Sequence, residues 1–523
     1  MKKLLSIFTC VLLPSIALGF TEPPILDVVF PTGGIPKYVD ADCANGLTTY
    51  DPTTESCTEG SSTVYSTIEN ADGNVGAGNY LYLMDTAYNV QIDWAESGTA
   101  GNEIVIRPGP GKTVTVNYNG TGNRNISING SYVILDGFAG GTTRRLIFDG
   151  ETETPYGGSF YLIELITGSH VTLYGIIGRN SDAEHSSCGT IDLSGPGNDY
   201  ARIYNCLLEN STAVGCYMTS GDYVEFRNNI VRNNGGQGIQ VNPHTSYQVM
   251  DEVTISGNIV VNNGYTYPDG RGGITLEGAY LNSVETVYCY NNLVANNFVD
   301  GIAVWGNMCE NYDIYVYNNT SYGNGTNGIE ISNDGNHGTI SLQNNISYGN
   351  GTNWYAVNSI KYGITGTNCV NNLVTDPSFA STTESDSDFL WLSASSTNAI
   401  GQGSVLTAML TNDLYGTTRG SSWDIGAVEY EASGLVTYYL DSDGDGWPEG
   451  TTQQAESDPG ATWYELSELT GTTTDCNDSD AAINPGATEI CGNGVDEDCD
   501  GTAQACPVSA NVKGVYSSGC IMR

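Results

Sequence analysis

Short runs in which apolar and polar residues alternate recur through the middle of the chain, and Asn and Gly break them at regular intervals. The units VEFRNNIVRNN, VTISGNIVVNN, VYCYNNLVANN, IYVYNNTSYGN and ISLQNNISYGN follow one another, with weaker copies in HVTLYGIIGRN and YARIYNCLLEN. The second Asn of each core falls at Asn229, Asn258, Asn292, Asn319, Asn345 and Asn372, so the spacings are 29, 34, 27, 26 and 27. Most units close with a Gly and a further alternating stretch: GIQVN, GITLEG, GIAVWG, GIEISN. Period-two alternation predicts strands, and the Asn and Gly breaks predict corners that tolerate left-handed backbone. Short strands at a repeat in the twenties suit an all-β parallel β-helix. Leucine-rich repeats have spaced leucines that are absent here, and a propeller blade needs a longer period.

Alternation also sorts the side chains. Ile239, Ile274, Ile302 and Ile329 are expected to stack inward, with Val241, Leu276, Val304 and Ile331 beside them. One outward column then reads Glu164, Asp192, Tyr217, Gln240, Thr275, Ala303, Glu330, and its neighbour reads Ile166, Ser194, Thr219, Asn242, Glu277, Trp305, Ser332. These columns are expected to face solvent, with Glu164, Asp192, Tyr217, Gln240, Asn242 and Trp305 as candidate contacts for a sugar chain. Glu277 and Glu330 sit two rungs apart, roughly 9–10 Å along the stack. Carboxylates at such separations serve as acid and base in glycoside hydrolysis. Arg271, in YPDGRGG, stands just before a face strand and is the candidate base for eliminative cleavage. Against both, an outward acid on an acidic protein is ordinarily just solvated. The Asn column is expected to be structural, each amide bonding to the rungs above and below. Asp300 is expected to fill a turn position, and His185, in RNSDAEHSSCG, to belong to a surface loop.

The middle of the chain resembles the pectate-lyase-like right-handed β-helix superfamily over about residues 98–430. GTAGNEIVIRPGPGKTVTV resembles a first rung, and the stretch from DPSF to DIGAVEY resembles the way many bacterial β-helices end. The resemblance implies a single-stranded right-handed solenoid and a glycan cleft on the sheet that carries the outward columns. It does not imply one activity, because this fold hosts lyases, hydrolases, epimerases and non-enzymes. The NTD, DD, GHG and RxK segments of polygalacturonase-type members are missing, and no lyase signature surrounds the arginines.

Composition changes the picture in two ways. Lys and Arg total 17 against 59 Asp and Glu, a net charge of −42 over 523 residues. That excludes nucleic acid, which needs basic residues to displace counterions, and disfavours anionic membranes and polyuronates. It favours divalent cations and neutral partners. The start reads as an export signal over residues 1–19: Lys2 and Lys3, an apolar run from Leu4 to Leu18, then Ala17-Leu18-Gly19. The expected location is therefore extracellular or cell-surface, with no transmembrane segment, and export makes disulfides the default. Cys43 and Cys57 are expected to bridge, and an odd thiol remains, with Cys520 the candidate. The remaining boundaries are expected at 20–97 for a cap, 431–437 for a linker, 438–506 for an Asp- and Cys-rich module and 507–523 for a tail.

In that module, YYLDSDGDGWPEG places Asp441, Asp443 and Asp445 at alternate positions before Gly446. Carboxylates at that spacing on a tight loop converge on one hard cation, but position 12 of the loop is Thr452 and not the usual Glu. Asp475, Asn477, Asp478 and Asp480, then Asp496, Asp498 and Asp500, are the candidates for the remaining ligands. Oxygen donors and the absence of His from the module make Ca2+ the expected ion. The segment resembles the metal-binding motif of bacterial surface proteins known as the MopE type, and also thrombospondin type 3 calcium repeats. One departure is that residues 447–474 hold no Cys, which in the family would pair with Cys476; the resemblance then suggests Cys476–Cys506. SSGCIMR resembles the start of a cell-surface sorting tail without its apolar span.

Two functional expectations follow. One is a secreted or cell-surface protein that binds polysaccharide or acts in adhesion and is stabilised by calcium. The other is a glycoside hydrolase or pectate/alginate-type lyase with its site on the outward face. Nothing in the pattern sets an oligomeric state.

Overall fold

A computed structural model describes residues 20–43, 49–52, 54, 56–58, 64–118, 124–150, 160–181, 189–243, 250–265, 272–278, 284–306, 313–332, 340–356, 369–406, 410–431, 436–455, 459–471, 474–490 and 492–503. The chain divides into two compact units, Met1–Tyr430 and Glu431–Arg523.

The first unit is a parallel β-helix of three sheets. Each coil contributes one strand to each sheet. Val224–Arg227, Ile230–Arg232 and Ile239–Val241 make one coil, and Met250–Ser256, Ile259–Val261 and Ile274–Gly278 make the next. Successive coils pair in parallel: Val224 with Val253, Ile230 with Ile259, Ile239 with Ile274. Among the described residues, sheet I, which includes Val224–Arg227, holds 13 strands, and sheet II, which includes Ile230–Arg232, and sheet III, which includes Ile239–Val241, hold 10 each. Parallel strands already pair from Pro36–Val39 onward, upstream of the repeats visible in the sequence. A short helix, Ile68–Ala71, is capped by the Thr67 side chain.

Alternation sends the apolar set inward as expected. The columns that contain Ile239 and Val241 are wholly buried at every rung from Ile239 to Ile331. Each such side chain contributes roughly 1.5–3 kcal/mol when removed from water.

The Asn pairs do two jobs at each corner. The first member takes the left-handed backbone, with φ near +55° at Asn228, Asn233, Asn262, Asn291, Asn296, Asn318 and Asn344. Gly257, Gly323 and Gly349 fill the same slot where Asn is missing. The second member turns inward and bonds along the stack. Asn229 donates through Nδ2 to Asn258 Oδ1 at 3.1 Å, Asn258 to Asn292 at 2.9 Å, and so on to Asn372. A second ladder, which the sequence spacing had not singled out, runs Asn234, Asn263, Asn297, Asn324, Asn350 at the next corner. Asp300 is structural, as expected: it is buried and accepts the Asn327 N–H and the Thr326 hydroxyl.

Two segments cover outer faces of this unit. Residues 376–430 pack Phe389, Leu390, Leu414 and Val428 on the outward residues Ile230, Ile259 and Leu293 of sheet II. Residues 20–30 lie along sheet I, where Leu26, Val28 and Phe30 meet Phe138, Tyr174 and Tyr204. The covering segment carries a buried charge cluster. Arg419 pairs with Glu429 and donates to Asn291 Oδ1, while Asp413 and Asp424 accept backbone N–H groups around it.

The second unit is small. Val436–Leu440 is flanked by Thr452–Ala455 and Trp463–Glu465 in an antiparallel sheet, followed by acidic loops. Disulfides join Cys43 to Cys57 and Cys476 to Cys499. The expected Cys476–Cys506 pairing is thus corrected: the loop that carries Asp496 and Asp498 folds back onto Asp475 and brings Cys499 to Cys476. Cys506 and Cys520 lie outside the described residues. No described helix is long and apolar enough to cross a membrane.

Candidate functional sites on sheet III and in the acidic module

Sheet III reproduces the outward column in register. Glu164 pairs with Asp192, Asp192 with Tyr217, Tyr217 with Gln240, Gln240 with Thr275, Thr275 with Ala303, and Ala303 with Glu330. The second column likewise aligns Glu277 with Trp305 and Trp305 with Ser332. The side chains of Glu277, Trp305 and Ser332 lie outside the described residues, as do Arg271 and His185.

Exposure differs from the expectation. The first column points away from the core but is covered: Asp192 is 0% exposed, Glu330 5%, Gln240 6% and Glu164 9%. Only Tyr217 in this column, and Asn242 beside it, are half-buried. Alternation dictates which face a side chain takes; it is silent on what folds over that face. Upstream, Asp93 and Ser127 continue the column, and the Asp93 carboxylate is the exposed one. Arg124 bridges the edge, pairing with Glu164 and lying 3.4 Å from Asp93. The sequence reading missed both, because this rung precedes the recognisable repeats.

Asp192 is the unusual member. Neither carboxylate oxygen meets a hydrogen-bond donor in bonding geometry, and the buried Thr190 hydroxyl beside it is also unpartnered. Burial pushes its carboxyl well above the usual carboxylate range; the Ser194 hydroxyl offsets part of this and the Glu164 charge adds to it. Glu330 accepts from Asn327 Nδ2 at 2.8 Å.

The acidic module brings most of its expected ligands together. Carboxylate oxygens of Asp441, Asp443 and Asp478 lie within 4.8 Å of one another, as do those of Asp443, Asp445 and Asp475. Asp441 shapes the loop by accepting the Gly444 N–H at 2.7 Å and the Gly446 N–H at 2.9 Å. At Gly446, φ is +95° and a Cβ would lie 2.4 Å from Thr470 Oγ1, so only Gly fits there. A second group joins Asp496 and Asp498 to Glu489, a residue the sequence reading passed over although it stands in the PGATEIC segment. Asp480 and Asp500 are not brought into these groups: Asp480 accepts from the Ala482 N–H and Asp500 from the Thr502 N–H, while Asn477 accepts from the Ser479 hydroxyl.

A cation fits this arrangement. Both oxygens of Asp443 and one each of Asp445, Asp475, Asp478 and Asp496 are enclosed with no hydrogen-bond donor. Burial and mutual repulsion raise the carboxyls of Asp443 and Asp475. Among the described residues, the cysteine pair near these acids is a disulfide and no His lies in the module, so the described donors are oxygens. Such a set suits a hard divalent ion.

Comparison with known proteins agrees with both halves. Residues 156–315 match the family model "Right handed beta helix region", and residues 475–504 match the Cu-binding MopE model, described as "Putative metal-binding motif". No curated protein matches the sequence. Among solved structures, the pectate lyase Pel9A is 16% identical with a TM-score of 0.55, covering 76% of this chain and 98% of its own. A rhamnogalacturonan lyase is 13% identical with a TM-score of 0.42, covering 69% of this chain and 97% of its own. An alginate lyase from Paenibacillus sp. is 14% identical with a TM-score of 0.32, covering 55% of this chain and 95% of its own. The three long parallel sheets and the disulfide-bearing acidic module thus give the chain a right-handed parallel β-helix fold, shared with the pectate lyase Pel9A, and a C-terminal segment over residues 475–504 that matches a MopE-type metal-binding motif.

Proposed function

We propose that this protein is exported, binds polysaccharide through its β-helix, and holds calcium in its C-terminal module as a structural ion. The observation that carries the calcium assignment is the set of enclosed carboxylate oxygens on Asp443, Asp445, Asp475, Asp478 and Asp496 that meet no donor. An ion there removes the repulsion that otherwise opposes folding of the acidic loops. Copper, which the matched model is named for, prefers nitrogen or sulfur donors; the module has no His, and its described cysteines, Cys476 and Cys499, are joined in a disulfide. Support for polysaccharide comes from the fold shared with a pectate lyase and from the polar column of sheet III. Two disulfides are in keeping with an extracellular or cell-surface location.

One observation favours a second reading, a polysaccharide-degrading enzyme. Asp192 and Glu164 occupy adjacent rungs, and the environment of Asp192 favours its protonated form. A protonated carboxyl with a second acid on the next rung is an arrangement that acid–base cleavage of a glycosidic bond can use. Glu277, Glu330 and Arg271 remain candidates for the same chemistry. The deep burial of the described acids favours binding over catalysis.

The test incubates the purified protein, with calcium, against neutral and uronic polysaccharides, following reducing ends and the absorbance of unsaturated products. Retention on an immobilised glycan without new ends is the expected result. Unsaturated ends would make it a lyase, and reducing ends alone a hydrolase. Calcium titration by calorimetry is expected to show binding that Asp443→Asn weakens at least tenfold. No calcium binding would sink the metal assignment.

A further inference from the structure

The outer face of sheet I carries a second recognition surface. Just ahead of four successive strands, the chain places an aromatic ring at the corner: Tyr132, His170, Tyr200 and Tyr223. The rings stack in sequence with centroids 4.4, 4.5 and 5.0 Å apart and interplanar angles of 15°, 23° and 11°. All four have left-handed backbone, with φ of 56°, 57°, 58° and 58°. That conformation is uncommon and strained for bulky side chains. At the other end of three of these strands the same backbone problem is solved by Gly175, Asn205 and Asn228. Four aromatic side chains held in the strained conformation, rung after rung, call for a reason beyond the turn itself.

The ladder forms one edge of a groove. Its other wall is the segment from Asp27 to Phe30, and its floor includes Thr172, Arg202, Glu225 and Arg227. The space measures about 520 Å³ and continues past Tyr200 and Tyr223 into a second hollow of about 360 Å³ that shares Arg202, Glu225 and Arg227. Ligand sites typically span about 300–1,000 Å³. Tyr200 and Tyr223 are 40% and 42% exposed, so their edges and hydroxyls line the rim. Burial and the nearby Arg202 charge lower the His170 pKa, which keeps its ring neutral.

The floor is built of planar, bidentate groups. Glu225 is held by Arg227 Nη1 at 3.2 Å and by the Tyr204 hydroxyl at 2.6 Å. Arg202 is half-exposed, and its guanidinium lies 3.9 Å from Glu225, beyond hydrogen-bond range. An Arg fork can donate to, and a Glu carboxylate accept from, a pair of adjacent hydroxyls. Asp27, Glu103, Glu225 and Glu252 outnumber Arg202 and Arg227 along the groove, which disfavours a polyanion.

We infer that this groove binds a neutral oligosaccharide chain, its sugar rings following the aromatic ladder and its hydroxyls bonding to Arg202, Glu225 and Arg227. The ring-to-ring rise is set by the rung spacing of ~4.8 Å, close to the rise of one sugar in an extended chain. The site is separate from sheet III and does not depend on the role proposed for it.

Affinity electrophoresis tests the inference, with xyloglucan, galactomannan and hydroxyethylcellulose as neutral probes and polygalacturonate and alginate as anionic ones. The double variant Tyr200→Asn/Tyr223→Asn removes two rings but keeps a residue that accepts left-handed backbone. Arg202→Gln alters only a half-exposed side chain, so the test stands even if the double variant misfolds. At least one neutral probe is expected to retard the native protein, with tenfold or greater weakening in Arg202→Gln and in a double variant of unchanged melting temperature. Retardation by anionic probes alone, or unchanged in both variants, overturns the inference. Loss in Asp192→Asn but not in the groove variants overturns it while leaving the polysaccharide reading intact. No retardation by any probe overturns both.

Discussion

The corner asparagines separate two properties that the sequence writes with one letter. The first of each pair is chosen for its backbone. Asn233 shares its slot with Gly323 and Gly349, so Asn233→Gly is expected to change stability by only a few tenths of a kcal/mol, whereas Asn233→Val forces a β-branched residue into left-handed backbone and costs about 1–3 kcal/mol. The second is chosen for its amide. Asn292 accepts from the Asn258 backbone N–H and amide and donates to Ile255 O and Asn319 Oδ1, all buried. Asn292→Ala is expected to cost about 2–4 kcal/mol, because it strands several of these groups. Denaturant midpoints of the three variants check both statements; equal losses in Asn233→Gly and Asn292→Ala would remove the distinction. The spacing of Asn229 to Asn372 made the first ladder legible in advance. The second, Asn234 to Asn350, was written in the same units but was not separated from the first. Two Asn positions five residues apart look like one motif until a strand as short as Ile230–Arg232 is seen between them.

At the scale of elements, the segment over residues 376–430 shows how a covering layer brings its own pH dependence. Burial raises Glu429 to about 7 and Asp413 to about 6, with the Arg419 charge and backbone N–H groups pulling the other way. In the unfolded chain both titrate near 4. Between those values the folded state holds more protons than the unfolded one, so this contribution is complete below about pH 4 and is lost as pH rises through 6 to 7. The loss is at most about 3 kcal/mol per group and less for the two together, since they share Arg419. The melting temperature of the first unit is therefore expected to fall between about pH 5 and about pH 8; a rise across that interval would show that the cluster stays fully ionised. Neither the cluster nor the covering layer was legible in the sequence beyond a resemblance to a β-helix ending. Arg419, Asp413, Asp424 and Glu429 carry no periodic signal, and they meet only because loops return across sheet II.

At the scale of the whole molecule, the two units answer to different forces. The β-helix rests on stacked apolar columns that need no ion. The C-terminal unit concentrates carboxylates around a small antiparallel sheet. Calorimetry is expected to resolve two transitions, of which a chelator lowers only one, and Asp443→Asn is expected to mimic the chelator. A single transition insensitive to chelation would overturn the structural role given to calcium. Because the net charge is −42, added neutral salt is expected to raise stability by screening self-repulsion.

Alternation and repeat length by themselves determined the architecture: the parallel coils, the inward columns from Ile239 to Ile331, and the in-register outward column from Glu164 to Glu330. Those features are local or periodic, and a one-residue slip would turn every core side chain outward. The DxDGDG spacing likewise placed Asp443 near both Asp441 and Asp445, although Asp441 groups with Asp478 and Asp445 with Asp475. Only the tertiary structure decided that the outward column is covered, that Cys476 meets Cys499, that Glu489 joins Asp496 and Asp498, and that four rings from separate rungs stack into one edge of a groove. Each of these depends on segments far apart in the chain returning to the same place, and periodicity carries no record of where a loop comes back.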